Sequence, residues 1–320
     1  MTAAGAITPA RTVPAAATHA WFPASPCDAS CVRSSGPTLG RVAVAVRVAR
    51  LAATASAAVV GGVLVTPLPR PVRRRYVRRA ARGLLAALGI GFEVDDRRPH
   101  VGRGVGLVVA NHTSFLDIVA IAGVVPARFV AKSEILGWPV VGGLARRLGV
   151  IGIDRRALHS LPATIGTMTA GLFDDDAVGV FPEGTTWCGR AGGRFRPATF
   201  QAAVDARMPV IPVHVGFRDA HGSVATAPAF VGDDDLLDTV RRVLRARGLR
   251  VVVRIHELQL PGDDRRALAR RCERLVFGDV DDHGDPLGSL SALSLPVPPL
   301  SAPVEPVRDH GHDEVPAGAA

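Results

Sequence analysis

Between residues 84 and 280, six short apolar runs of four to seven residues alternate with six stretches of helical periodicity. The runs are Gly106 to Ala110, Arg128 to Ala131, Val150 to Ile153, Ala177 to Phe181, Val210 to Val215 and Leu249 to Ile255. The helical stretches are Phe115 to Val124, Pro139 to Leu148, Leu161 to Phe173, Ala198 to Ala206, Asp234 to Arg247 and Asp264 to Phe277. Continuous apolar runs mark strands covered on both faces. Their alternation with helices therefore predicts an α/β fold, a mainly parallel or mixed sheet flanked by helices. A hydrophobic fraction of 48% is ample for such a core.

The flanks of this region differ from it. Residues 1–38 are rich in Ala, Pro, Ser and Thr without periodicity, the composition of a disordered leader, and residues 279–320 show no packing face and read as a disordered tail. The catalytic domain is expected over 91–278. The cysteines, Cys27, Cys31, Cys188 and Cys272, show no paired metal spacing and are too few for a disulfide framework. A reducing compartment, no metal and no resident cofactor are expected. Cys27 and Cys31 stand four apart, a spacing open to a redox or metal pair but without a second pair to complete it.

Residues 39–90 read as a membrane-associated helical segment with a basic stretch. The uncharged part, Leu51 to Pro69, leaves only about 16 residues of continuous helix before Pro67, against roughly 20 for a square bilayer crossing. A short tilted span, a re-entrant hairpin and an interfacial helix all remain open. Arg70, Arg73, Arg74, Arg75, Arg78, Arg79 and Arg82 follow at once. Arginines beside an apolar segment are drawn to anionic headgroups, at about 1 kcal/mol per charge near the surface, and mark the cytoplasmic side. The net charge of +9 would equally suit nucleic acid, but a nucleic-acid binder has no use for the adjoining apolar run. An anionic membrane, at the cytoplasmic face of the cell membrane, is the expected surface.

The residues that carry chemistry stand where strands end. Asn111-His112-Thr113-Ser114-Phe115-Leu116-Asp117 follows the first of the strands named above and opens a helix. A histidine there and a carboxylate five residues on can meet across the turn, leaving the second ring nitrogen to accept a proton. Ser114 with Asp117 is also a capping-box pattern, in which the carboxylate only satisfies the helix start. Gly149 to Arg156 ends a second strand on Asp154, Arg155 and Arg156, and Phe181-Pro182-Glu183-Gly184-Thr185-Thr186 ends a third. Ligands of open α/β sheets lie outside the carboxyl ends of strands, so the three clusters can share one site. Arginine at such a place suits a phosphate.

These blocks, in this order, resemble the glycerolipid acyltransferases of the 1-acylglycerol-3-phosphate acyltransferase (PlsC-like) type. His112 to Asp117 matches that family's H-x-x-x-x-D, Arg155 ends a run similar to its second block, Phe181 to Thr185 matches F-P-E-G-T, and Val210 to Val215 with Pro212 is similar to the fourth. The resemblance implies transfer of a fatty acyl group from acyl-CoA or acyl carrier protein to the hydroxyl of a lysolipid. His112 is then the general base and Asp117 its orienting partner. Arg155, Glu183, Gly184 and Thr185 would hold the acceptor's phosphate and glycerol, Lys132 would add charge, and Asn111 and Pro182 would support the site. The implied acceptor is 1-acylglycerol-3-phosphate. One departure counts against it, since phosphate-accepting members commonly carry Arg after F-P-E-G-T, where this chain has Thr186-Trp187-Cys188. Arg190, Arg194 and Arg196 stand near enough to substitute, and a different lysolipid such as a lyso-ornithine lipid is the alternative.

Other chemistries lack their signatures. There is no G-x-S-x-G, no P-loop lysine, and His256-Glu257 lacks the second histidine of H-E-x-x-H. Cys188 as a nucleophile has no other histidine clearly placed to activate it, and His112, Asp117 and Glu183 lack a defined metal-ligand spacing. The reading from another class is a non-catalytic basic membrane-binding module with a structural histidine.

Overall fold

The computed structural model describes residues 22–32, 37–99, 105–138, 141–154, 157–174, 176–232 and 234–278. In chain order the elements are α1 (Arg41–Val65), α2 (Arg70–Leu88), β1 (Gly91–Asp96), β2 (Gly106–Ala110), α3 (Leu116–Ala122), β3 (Arg128–Lys132), α4 (Val141–Arg147), β4 (Ile151–Ile153), α5 (Leu161–Phe173), β5 (Ala177–Val180), α6 (Gln201–Ala206), β6 (Val210–Arg218), α7 (Leu236–Arg245), β7 (Arg250–Ile255) and α8 (Arg265–Phe277).

The strands form one seven-stranded sheet in the order β1-β7-β6-β2-β5-β3-β4. Every pairing is parallel except β6 with β7, so the sheet is mixed, as the alternation of elements predicts. Strand side chains point alternately to the two faces, and β2 feeds both. Val108 and Ala110 join Leu85, Leu88, Ile121, Val243 and Leu244 under α2, α3 and α7. Leu107 and Val109 join Met168, Leu172, Phe200 and Leu268 under α5, α6 and α8. Each such aliphatic side chain is worth about 1.5–3 kcal/mol when fully buried, so β2, between β5 and β6, is clamped from both sides.

The six expected strands are all present, and α5 occupies the residues predicted for it. β1 was not expected. It is an edge strand whose Glu93, Asp95 and Asp96 break any apolar pattern, and Asp95 instead meets Arg254 on β7 at 2.7 Å.

α1 and α2 form an antiparallel hairpin. The Tyr76 hydroxyl donates to the Ala58 carbonyl at 2.7 Å, close to the connecting turn. At the other end Arg47 donates to the carbonyls of Leu244 (3.0 Å) and Ala246 (2.7 Å), where α7 stops. A cation at a helix C-terminus satisfies orphan carbonyls and opposes the helix dipole. This is why α1 runs for 25 residues, past the roughly 16 expected: Arg47, which interrupts the apolar run, is spent on the domain. The base of the hairpin belongs to the main core through Leu85 and Leu88, so residues 39–90 are no separate unit. Gly89 stops α2 with a left-handed φ of 77°, and its N–H and that of Ile90 return to α2 carbonyls.

Residues 22–32 correct the expectation of a disordered leader. Asp28 caps a turn of 3-10 helix at Ala29–Cys31, and Cys27, Cys31 and Val32 pack on Cys188, Ala229 and Val231. Composition hid this because so short a segment needs no periodicity to fill a small apolar site. The expected tail over 279–320 lies outside the described residues, as do residues 1–21 of the leader.

Candidate active site

β2 ends at Ala110, and the next residue begins the site. Asn111 is buried and prolongs the sheet with its side chain: its amide donates to the Val215 carbonyl (2.9 Å) and its oxygen accepts from the Val215 N–H (2.7 Å). The chain is thereby pinned to β6 just before His112.

His112 Nδ1 lies 3.0 Å from Oδ2 of Asp117. The same oxygen accepts the backbone N–H of Thr113 at 2.6 Å and of Ser114 at 2.8 Å. Both readings of Asp117 are thus realised, since it satisfies the start of α3 and faces the imidazole at once. Its side chain is fully buried, and its Oδ1 has no hydrogen-bond partner among the described residues. A carboxylate oxygen only accepts, so Nδ1 is the donor of this bond and Nε2 is left able to accept a proton. The ring plane is fixed by Phe181, stacked on it at 3.9 Å between centroids and 11° between planes. Phe181 was legible only as part of a block; nothing in its spacing marks it as the support of the imidazole.

The turn after β5 closes the site from the other side. Glu183 is 4% exposed, and both its oxygens are occupied: Oε2 accepts the N–H of His112 (2.5 Å) and Oε1 that of Gly193 (2.6 Å). Burial pushes its carboxyl up to about 8, against the pull of these two donors toward the ionised form. Gly193 must be glycine for this bond, because a Cβ there would stand 2.7 Å from the Trp187 ring. Gly184 makes the turn with a left-handed φ of 78°, and Pro182 is buried with its carbonyl accepting from the Arg196 N–H (3.0 Å). Trp187 N–H donates to the His112 carbonyl at 2.8 Å, so this loop, too, braces the histidine. The Thr186 hydroxyl bonds to the Phe230 carbonyl.

Lys132 ends β3, exposed, two strands along the sheet from His112, and Thr185 is half-buried in the turn. Arg155 lies outside the described residues. Among the described residues a cleft of about 420 Å³, lined in part by Ser133, Gly152, Asp154, Ser160 and Thr164, opens between the ends of β3 and β4 and α5. His112, Asp117 and Glu183 are not arranged to ligate a metal, since the Glu183 oxygens and Oδ2 of Asp117 face N–H donors. Cys188 is turned away toward the leader, where its N–H meets Cys27 Sγ at 3.3 Å.

A buried carboxylate, an imidazole with one nitrogen free and a polar turn at neighbouring strand ends are the parts of an enzyme that deprotonates a hydroxyl. Comparison with known proteins agrees. A family model described as Acyltransferase matches residues 91–216. A 1-acyl-sn-glycerol-3-phosphate acyltransferase of Neisseria meningitidis is 34% identical over 67% of this chain and 84% of its own length. A lyso-ornithine lipid O-acyltransferase of Pseudomonas aeruginosa is 33% identical over 64% of this chain and 78% of that one. The crystal structure of the 1-acyl-sn-glycerophosphate acyltransferase PlsC of Thermotoga maritima shares the fold, with a TM-score of 0.55 at 20% identity over 73% of this chain and 92% of that one. The chain belongs to the PlsC-like, 1-acylglycerol-3-phosphate O-acyltransferase family of glycerolipid acyltransferases and is an O-acyltransferase. The non-catalytic reading is thereby set aside.

Proposed function

We propose that the enzyme moves a fatty acyl group from the thioester of acyl-CoA or acyl carrier protein to the hydroxyl of 1-acylglycerol-3-phosphate, giving phosphatidic acid. The pairing of His112 Nδ1 with buried Asp117 at 3.0 Å carries this reading. Nε2 takes the proton of the acceptor hydroxyl as its oxygen attacks the thioester carbon. The tetrahedral intermediate then collapses, expelling the thiolate, which recovers the proton from the imidazolium. The donor is a co-substrate and no resident cofactor is needed. Glu183 acts as a positioning residue, holding the backbone of His112 against Gly193, in place of the direct acceptor contact the family resemblance implies. His112→Ala should cut turnover about 10²- to 10⁴-fold with the fold intact; unchanged turnover on lysolipid and acyl donor sinks the assignment.

For the phosphate, Arg196 is the cation best placed to replace the missing arginine, its Cδ standing 3.7 Å from where a Cβ on Gly184 would be. Lys132 and Arg155 would serve the same end of the acceptor. The second reading, a lyso-ornithine acceptor, is favoured by Thr186, whose hydroxyl is committed to the Phe230 carbonyl and leaves no cation at that position. Turnover of both lysolipids, with Arg196→Ala raising KM only for the phosphate-bearing one, separates the two.

The hairpin suits an interfacial, one-leaflet mode of membrane binding. α1 is long and apolar enough to cross a bilayer by length and composition, with a mean hydropathy of 1.8. Yet α1 is held to the domain at its first turns, through Arg47, and α2 lies against the domain from Arg70 beside the turn to Leu85, while Val60 (59%) and Leu64 (69%) of α1 are exposed near the turn. A hairpin that lies along the domain in this way presses the exposed apolar residues of α1 and the turn into one leaflet and leaves the domain on the side it came from, here the cytoplasmic face of the cell membrane. Part of the arginine run holds the hairpin to the domain, Arg70 on the Asp174 carbonyl (2.7 Å) and Arg82 on that of Gly123 (2.8 Å), and Arg75, Arg78 and Arg79 are exposed to meet anionic headgroups.

A further inference from the structure

The turn that braces His112 is followed directly by a cluster of sulfur. Cys27, Cys31 and Cys188 bring their Sγ atoms within 4.8 Å of one another, although Cys188 is 161 residues from Cys27. All three are free thiols. The local chain is built to converge them. The Asp28 carboxylate takes the Ser30 N–H at 2.8 Å, and the resulting turn sets Cys27 and Cys31 on the small apolar cluster that holds Cys188. The Cys188 N–H aims at Cys27 Sγ (3.3 Å).

We propose that these three cysteines bind a thiophilic metal ion, zinc being the best match, and that the ion clasps residues 22–32 to the catalytic turn. The spacing Cys27-x-x-x-Cys31 falls within that of zinc-ligand pairs, and tetrahedral bonds of about 2.3 Å put sulfurs about 3.8 Å apart. The sulfurs need only close slightly to reach that distance. An all-sulfur set selects zinc or copper(I) and rejects magnesium and calcium. Binding displaces the thiol protons to solvent and leaves the fourth position to water or another small ligand. Cys188, which is buried, and the half-buried Cys27 and Cys31 could otherwise serve as plain apolar filling, but filling needs neither mutual convergence nor an N–H directed at sulfur.

The clasp bears on the active site through the backbone. Trp187, next to Cys188, donates to the His112 carbonyl at 2.8 Å. Pro23, at the start of the same leader segment, sits so near Gly184 that a Cβ there would lie 2.9 Å from its ring. An ion held by Cys27, Cys31 and Cys188 would thus fix both the leader and the turn behind the histidine.

The test is metal content and cobalt spectroscopy on the full chain in detergent, purified under reducing conditions. Wild type should carry about one zinc per chain by elemental analysis. After cobalt(II) exchange it should show sulfur-to-metal charge-transfer absorption. Both signals should vanish in Cys31→Ser and in Cys188→Ser, and persist in Cys272→Ala, whose thiol is buried in the main core. Chelation should lower the melting temperature of wild type and leave that of Cys31→Ser where it is, a comparison that holds even if Cys188→Ser fails to fold. Wild type that takes up no stoichiometric zinc, or zinc that survives Cys31→Ser, overturns the proposal. So does a Cys27–Cys31 disulfide that forms in reducing buffer. None of these readouts depends on acyl transfer, so the clasp and the catalytic assignment stand or fall separately.

Discussion

The turn from β2 into α3 and the tip of the α1–α2 hairpin are opposite solutions to exposure. At the turn, nearly every polar atom is committed: Oδ2 of Asp117 meets three nitrogens, both Glu183 oxygens meet N–H groups, and Asn111 closes a pair of bonds to Val215. At the tip, Val60, Val63, Leu64 and Leu68 face outward with nothing over them among the described residues. The first region is stiff because losing any partner strands a buried polar group, at about 1–3 kcal/mol each. The second has no such cost and draws its order from whatever apolar phase covers it. The proposed chemistry thus falls where the protein over-determines a side chain, and the proposed membrane contact where it leaves one undetermined.

The largest effect that would sharpen this contrast is at Asp117. Asp117→Ala orphans the Thr113 and Ser114 N–H groups and frees the imidazole, so activity should fall at least about 10²-fold and stability by about 1–3 kcal/mol. Thermal melts beside turnover assays check both, and loss of activity with no loss of stability would mean that the carboxylate is not a structural part of the turn. Next comes Glu183. Its carboxyl is raised from about 4.5 to about 8, so the folded state holds a proton that the unfolded chain releases. That contribution to stability is complete below the ordinary carboxylate range and is lost as pH climbs through the folded value. Glu183→Gln, which cannot titrate, should flatten the fall in melting temperature over that window, and an unchanged slope would assign it to other groups.

The hairpin should respond in another assay altogether. Leu64→Asp should weaken binding to anionic vesicles by about tenfold or more, as the cost of carrying a charge into apolar surroundings, while kcat on a detergent-dispersed acceptor holds. A drop in kcat with vesicle binding intact would break the division of labour between the two regions. The smallest expected effect is Arg47→Ala, which removes a cation from the end of α7 and should cost about 1 kcal/mol in a denaturant titration.

How far each region could be read in the sequence follows the same line. Strands covered on both faces announce themselves as apolar runs, so β2 to β7 were legible, and His112 with Asp117 was legible because five residues of spacing close one turn. What could not be read depends on partners far along the chain. β1 shows its strand character only once Asp95 is set beside Arg254, and the reversed direction of β7 against β6 leaves no trace in either run. Glu183 reads as a carboxylate that holds the acceptor until the N–H groups of His112 and Gly193 are brought to it, and Cys27 with Cys31 looks incomplete until Cys188 arrives. Arg47 reads as a break in an apolar helix, whereas it is the anchor at its base.

The central claim is that His112 and Asp117 act as one unit on the acceptor hydroxyl. A double-mutant cycle on kcat tests it most directly: His112→Ala, Asp117→Ala and the pair, with refolding controls, on one lysolipid and one acyl donor. If Asp117 works only through the imidazole, the double variant is no slower than His112→Ala alone. If the two losses multiply, each residue acts separately and the account of the site is wrong.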